Sequence, residues 1–330
     1  MLTSKENIDT ETLHLAGIIP EDYRGMRLDQ ALVLLFPEHS RSRLKDWIDE
    51  GKVWVDNKVR KPKDKILGGE HIQISAEMPL LVDSDPEEIP LDIVYEDEHI
   101  LVINKPAGLV VHPAVGNRSG TLLNALMHRT PELVHIPRAG IVHRLDKDTS
   151  GLMVVAKTLE AHTDLVLQLQ ARTVNRTYET VVWGMLPSGG TVEAKIGRHP
   201  RDRKKMGVVE KGKLAISHYR VIEKFRSHTH LRVHLETGRT HQIRVHMAHI
   251  YHPIVGDKLY GGRLRVPPKA SDELLTLLRT FPRQALHAKQ LGLVHPFTRE
   301  ECVWEVTTPT DILELIQMLR FDAQAMDAHS

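Results

Sequence analysis

The chain has 330 residues, 41% hydrophobic and 26% charged, which describes an ordinary soluble globular protein with room for one large core and a small second domain. Its single cysteine, Cys302, excludes a disulfide framework and every Cys-rich zinc site and suits a reducing cytoplasm. Lys and Arg (44) nearly balance Asp and Glu (43), so there is no global basic footprint, and at 5% aromatics any nucleic-acid contact must rest on cations more than on stacking.

The N-terminal MLTSKENIDTETLHLAG lacks a basic n-region and an apolar h-region, so no signal peptide is expected. No run approaches the ~18 apolar residues of a membrane span, and no membrane partner is expected. MRLDQALVLLF predicts a helix with Leu28, Ala31, Leu32 and Leu35 on one face. HSRSRLKDWIDEGKV predicts a second, with Ser40 as N-cap, Leu44, Trp47 and Ile48 inward, and Gly51 at the C-cap. VWVDNKVR reads as two short strands around an Asp-Asn turn, and HIQIS as a strand. From Arg24 to Lys65 there are 11 Lys and Arg against 7 Asp and Glu, a basic bias that reads either as a solvated face or as an RNA surface. Met78 to Glu98 reverses this, with eight acids, no Lys or Arg and three prolines, and reads as a linker.

Beyond it, LDIVYED, HILVINK, GLVVHP, GLMVVAK, RTYETVVWG, SHYRVIEKF, THLRVHLETG, LGLVHP and CVWEVTT read as strands. TLLNALMHRT, LEAHTDLVLQLQAR, THQIRVHMAHI, SDELLTLLRTF and DILELIQMLRF read as helices. The irregular alternation predicts an α+β fold with a mixed sheet rather than a βαβ series. Between strands lies the basic turn RHPRDRKKMG, whose Arg201, Arg203, Lys204 and Lys205 suit phosphate.

Several chemistries fail on the residues. GNRSGT has no GxxxxGK, and TSG at Ser150 is not GxSxG. LDKDTS resembles the start of an aspartyl-phosphate enzyme, but His143-Arg144 interrupts the strand such enzymes need, and VGDKLYGG offers only Asp257 as a second acid. His241, His246, His249 and His252 cluster without an HExxH or a carboxylate among them, so no metal site is expected. What remains is a carboxylate beside arginine: Asp146 follows Arg144, and ETGRTHQIRVHM supplies Arg239 and Arg244. Such a carboxylate is ionised and able to attack carbon, although an Asp/Arg pair taken alone is more often structural.

The blocks HRLDKDTSGLMVVAKT, NKPAGLVVHP, RTYET, LETGRTHQIRVHMAHIYHPIVGDKLYG and LHAKQLGLVHP, in their order along the chain, resemble the motifs of the RluA-type pseudouridine synthases. MRLDQALVLLFPEHSRSRLKDWIDEGKVWVDNKV resembles an S4 RNA-binding domain, and the likeness covers nearly all of residues 24–310. It implies an N-terminal extension at 1–23, a small S4-like (αL-type) domain at 24–76, a linker at 77–91 and a catalytic domain at 92–330 on a mainly antiparallel mixed sheet flanked by helices.

Residue by residue, Asp146 matches the catalytic aspartate and Arg144 the arginine that takes part in displacing the target base. Tyr178 matches the tyrosine under the uracil ring and Arg244 the basic partner of the aspartate, while Arg239 and His143 are expected at the RNA. Arg27, Arg41, Arg43, Lys45 and Lys52 are the S4 candidates for RNA phosphates. The resemblance implies isomerisation of uridine to pseudouridine with no cofactor or metal, in a cytoplasmic, monomeric enzyme. The implied substrate is 23S rRNA or the large ribosomal subunit, in the stem-loop called helix 69. A synthase acting on another rRNA site or on tRNA, and an RNA-binding assembly factor with a vestigial site, are the alternatives.

Overall fold

The computed structural model describes residues 12–327 apart from 38, 40, 78–81, 83, 114–116 and 203–204. The expected N-cap Ser40 and the loop residues Arg203 and Lys204 therefore lie outside the described residues. The chain divides into two compact units, Met1–Asp83 with Val134–Pro137, and Ser84–Leu133 with Arg138–Ser330. No helix among the described residues is long and apolar enough to cross a membrane.

In the first unit, strand β1 (Thr12–Ile18) precedes helices α1 (Leu28–Leu35) and α2 (Arg41–Asp49), the hairpin β2 (Val53–Val55) and β3 (Lys58–Val59), and β4 (His71–Glu77). The four strands pair in the order β1-β4-β2-β3. The apolar faces read from the sequence meet in one core: Leu28, Ala31 and Leu32 of α1 pack with Leu44, Trp47 and Ile48 of α2 over Val53, Val55, Ile72 and Ile74. The Asp56-Asn57 turn has positive φ at both residues (49° and 60°), the twist a two-residue hairpin needs. Strand β1 was not expected. Its residues alternate half-buried and exposed, and it is held by a seven-residue antiparallel register with β4.

The second unit carries β5 (Ile93–Glu96), β6 (Ile100–Lys105), α3 (Leu122–Arg129), β7 (Ser150–Ala156), α4 (Leu159–Ala171) and β8 (Asn175–Trp183). It continues with β9 (Gly190–Arg198), β10 (Met206–Val208), β11 (Lys213–Lys224), β12 (His228–Leu235), α5 (Gln242–His249) and α6 (Asp272–Thr280). It ends with β13 (Leu286–Val294), β14 (Glu301–Glu305) and α7 (Thr310–Asp327). Its ten strands form one sheet in the order β10-β9-β11-β12-β8-β13-β7-β6-β5, with β14 on β13. Every pairing is antiparallel except β13 with β7. The fold is thus a small helix-and-hairpin unit of the expected element order plus the expected mixed, mainly antiparallel sheet with helices.

Two readings of the sequence need correcting. GLVVHP is not a strand: only Val110 pairs, in an isolated bridge to Thr121, and the rest is turn, bend and irregular chain. Conversely, TVEAKIGR forms β9, with Val192 and Ile196 as its buried residues; two apolar anchors in nine residues are a weak alternation signal.

The strand β7 is buried along its whole length, as GLMVVAK suggested. Gly151 is indispensable where β7 meets β13: its φ is +116° and a Cβ would lie 2.2 Å from the Ala288 carbonyl oxygen. That close approach brings the end of the loop at 140–149 onto the middle of the sheet.

Candidate active site

A cleft of about 720 Å³ opens over β8 and α5, and Asp146, Arg144, His143, Tyr178, Arg239 and Arg244 all line it. The six residues that sequence reasoning assigned to catalysis and base handling are therefore brought together. They come from three places: the loop before β7, the centre of β8, and α5 with the turn leading into it.

The loop presenting Asp146 is fixed from behind. Lys147 O accepts from Gly108 N at 2.9 Å and from Lys105 Nζ at 2.9 Å. Thr149 N donates to Asp146 O at 3.1 Å, and Gln284 Nε2 to Thr149 Oγ1 at 3.0 Å. Lys105 was missed in the sequence. It is 1% exposed, and its ammonium also donates to the carbonyls of Pro106 and Leu109, at 2.9 and 3.0 Å. Burial pushes its pKa down to about 7 against the pull of the Asp146 and Asp148 carboxylates.

Asp146 Oδ2 accepts from Arg244 Nη1 at 2.9 Å, across 98 residues of sequence. Arg244 is itself held by Asp257, whose two oxygens accept from Nε at 2.7 Å and Nη2 at 2.9 Å. Asp257 also accepts from the backbone N–H groups of Leu259 and Tyr260, at 2.9 and 3.0 Å. The Tyr260 ring lies 5.0 Å from the guanidinium carbon, close enough for a cation–π contact. Burial works against the Arg244 charge, but the hydrogen bonds and charges of Asp257 and Asp146 outweigh it and raise its pKa above the ordinary value. His241 Nε2 stands 3.8 Å from Asp146 Oδ1, while its Nδ1 shares a 2.8 Å hydrogen bond with the Tyr260 hydroxyl. Burial lowers the His241 pKa against the attraction of Asp146, which favours a neutral ring beside the carboxylate.

Tyr178 is 7% exposed, with its hydroxyl at no hydrogen-bonding partner among the described residues. Burial pushes its pKa up, Arg176 opposing and Asp146 adding to the effect, so the phenol keeps its proton. Arg144 is exposed at the cleft rim, where Arg239, Arg138 and Arg172 are also exposed. Arg138 and Arg172 were not singled out in the sequence; each is a lone arginine outside the basic runs. His143 lines the cleft but turns its Nε2 onto β7, accepting from Val154 N at 3.1 Å, and burial pushes it down to about 3. Its imidazole is committed to pinning the loop rather than held out toward RNA.

The basic turn is rooted on this site: Met206 N donates to the Tyr260 hydroxyl at 2.8 Å. Arg201 there is exposed and Lys205 half-buried. In the first unit, Arg27 and Arg41 both pair with the buried Asp29, at 2.8 and 3.1 Å. Lys45 pairs with Asp49 at 3.7 Å and Lys52 with Glu50 at 2.8 Å. Arg43 is half-buried, and burial lowers its pKa.

Residues 99–249 match the family model described as RNA pseudouridylate synthase, and residues 26–72 match the S4 domain. The chain is 58% identical over 316 residues to the ribosomal large subunit pseudouridine synthase D of Pseudomonas aeruginosa, covering 96% of this chain and 99% of that one. It is 55% identical over 313 residues to the protein of that name from Escherichia coli K12, covering 94% and 96%. Among solved structures, human RNA pseudouridylate synthase domain containing 4 superposes with a TM-score of 0.53 at 27% identity, over 69% of this chain and 93% of that one.

Proposed function

The chain belongs to the RNA pseudouridylate synthases and carries an S4 domain, and on that premise we propose that it converts uridines of large-subunit ribosomal RNA to pseudouridine, in the helix 69 stem-loop. The observation that carries this reading is the carboxylate of Asp146 held at 2.9 Å by Arg244 in a cleft wide enough for a flipped nucleotide.

The isomerisation breaks the N1–C1′ bond, turns the uracil and joins C5 to C1′. Its electrons balance without an oxidant or reductant, so the chain's own side chains suffice. The target base lies within a stack and must leave it before the chemistry. Arg144, exposed at the rim, takes up the space or the phosphate that the base leaves behind. Tyr178 offers its ring as the floor for the uracil. Its hydroxyl, still protonated, serves the C5 proton only as a relay, passing on its own proton as it takes one. Asp146 acts on the sugar or base by attack at C1′, addition at C6 or removal of the C2′ proton. Each route uses an ionised carboxylate whose direction Arg244 fixes.

Residues 24–76 are the RNA-binding piece, 77–91 the linker and 92–330 the catalytic piece, with Arg239, Arg201 and Lys205 as phosphate contacts around the cleft. Tethering an RNA-binding unit to the catalytic one raises the local concentration of substrate. The protein acts as a monomer in the cytoplasm. The test is tritium release from C5-labelled uridine in large-subunit rRNA by the wild type and Asp146→Asn. Release by the wild type alone, mapped to helix 69, is expected. No release from rRNA, assembled subunits or tRNA would overturn the reading in favour of a binding factor.

A further inference from the structure

Arg176 is a buried cation with no anion beside it among the described residues. It stands on β8 two residues before Tyr178, so both side chains leave the same face of the sheet, about 7 Å apart along the strand. Both line the cleft that holds Asp146. Arg176 is 7% exposed, and no carboxylate pairs with it among the described residues. Its Nη2 makes one long hydrogen bond, 3.3 Å to the Glu236 carbonyl, and its Nε is buried with no partner. Burial accordingly lowers its pKa.

The surroundings are shaped to keep it there. Gly238 stands over the guanidinium, where a Cβ would come 2.6 Å from Nη1. The contrast with Arg244 is direct: equally buried at 7%, Arg244 is satisfied by two carboxylates. Burying an unpaired guanidinium is costly, and the cost makes sense when a ligand completes the pairing. A phosphate stays in solvent and meets the exposed arginines of the rim. The part of an RNA that reaches the depth of Tyr178 is a flipped base.

Resting on the function proposed above, we propose that Arg176 is a catalytic residue that donates from Nη1 to a carbonyl oxygen of the flipped uracil and holds the negative charge the base carries once detached. Written for direct attack, an Asp146 oxygen bonds to C1′ as the N1–C1′ bond breaks. The bonding pair stays on the uracil, spread over N1, O2 and O4. After the base turns, C5 supplies a pair to C1′, the carboxylate departs with its own pair, C5 loses its proton and N1 gains one. Nothing is oxidised or reduced. A buried donor aimed at an oxygen whose charge grows in the transition state acts on the rate more than on binding.

The experiment measures the single-turnover rate of C5 tritium release at saturating rRNA stem-loop, together with the RNA Kd. Arg176→Met is expected to slow the rate by about 10²- to 10³-fold with Kd within about twofold, and Arg176→Lys to recover part of the loss. Gly238→Ala, which pushes the guanidinium aside without removing it, is expected to move the rate in the same direction, and stands in if the Met variant fails to fold. A folded Arg176→Met protein with wild-type rate overturns the inference. So does a loss confined to Kd, which would make Arg176 a phosphate contact. An inactive wild type would instead strike the proposed function; an active wild type with an equally active variant strikes this inference alone.

Discussion

Asp257 grips Arg244 from behind with both carboxylate oxygens, at 2.7 and 2.9 Å, and leaves Nη1 as the nitrogen that reaches Asp146. Asp257 is 4% exposed and lies 13 residues after Arg244, so one short segment builds both the cation and its clamp. Without the clamp, Arg244 would be a buried guanidinium on a single carboxylate, free to rotate about its own axis. Asp257→Ala is expected to cost about 3–5 kcal/mol of stability, the penalty of breaking a buried pair. Where the variant still folds, its single-turnover rate should fall by about 10- to 100-fold with RNA affinity nearly unchanged, because the aim of Asp146 is lost and not an RNA contact. Urea unfolding and tritium release under single-turnover conditions measure the two effects separately.

The contrast between Asp146 and Asp257 shows how far the sequence alone reached. Asp146 and Arg244 were legible because each sits in a densely charged block, whereas Tyr178 and the role of each residue came only from the resemblance of these blocks to family motifs. Asp257 was noticed in VGDKLYGG, but only as the lone second acid that tells against an aspartyl-phosphate enzyme; that it faces Arg244 depends on the turn after α5, which no periodicity encodes. Lys105 and Arg176 were hidden for a different reason: lysine and arginine are expected on surfaces, and nothing local marks the few that are buried. The helices and long buried strands came through because their apolar residues repeat. Strands β1 and β9 did not, since one is half-exposed and the other carries two buried apolar residues, and both are held by pairing with distant strands.

In the first unit, Arg27 and Arg41 share the carboxylate of Asp29, which is 2% exposed, but they share it unequally. Arg27 gives Asp29 two nitrogens and is about a third exposed, whereas Arg41 gives one and is 58% exposed. Arg41 therefore keeps donors for a phosphate while Arg27 mainly neutralises a buried acid. Arg41→Met should weaken rRNA binding and lower the slope of log K against log salt by about 1. Arg27→Met should leave that slope nearly unchanged and reduce the stability of the unit. Salt titrations of RNA binding, with thermal melts alongside, test the division; equal slopes for the two variants would refute it.

Asp97 gives the second unit a specific sensitivity to acid. Its carboxylate accepts from the backbone N–H groups of His99 and Ile100, at 2.7 and 2.8 Å, and from the Tyr95 hydroxyl at 2.9 Å; it also pairs with His295 at 2.7 Å. Burial opposes the charge, but these bonds win and hold the pKa down to about 2, against 3.8 for an ordinary aspartate. The folded form thus releases this proton more readily than the unfolded chain. The stabilisation is complete above about pH 4 and is lost as the pH falls through 2. The shift corresponds to about 2.5 kcal/mol; with the side chain 26% exposed, about 1–2 kcal/mol is expected in practice. Asp97→Asn should lower stability by that amount at pH 7 and flatten the decline between pH 4 and 2, as read by urea unfolding across pH. A variant with the same slope as the wild type would show that other carboxylates carry the acid sensitivity.

Lys105 and the loop that presents Asp146 are coupled through a single carbonyl. The Lys105 ammonium spends its three protons on the carbonyls of Pro106, Leu109 and Lys147, and Lys147 is the residue after Asp146. Replacing it by methionine keeps the volume and removes every donor, so three carbonyl oxygens each lose one donor in a place with little access to water. The penalty should be about 2–4 kcal/mol, the range for several buried acceptors left partly satisfied. Gly108 N still donates to Lys147 O at 2.9 Å, so the loop keeps one tether and the fold should survive. The tether that remains fixes position along one direction only, and the Asp146 carboxylate then swings about it. The rate at saturating RNA is therefore expected to fall by about tenfold or more, with Kd unchanged, since a misplacement near 1 Å at the reacting group is costly. Lys105→Arg should not rescue it, because a planar guanidinium cannot point three donors at carbonyls set around a point. A Lys105→Met protein of lowered stability but wild-type single-turnover rate would assign the lysine to the fold alone and leave the aim of Asp146 to Arg244.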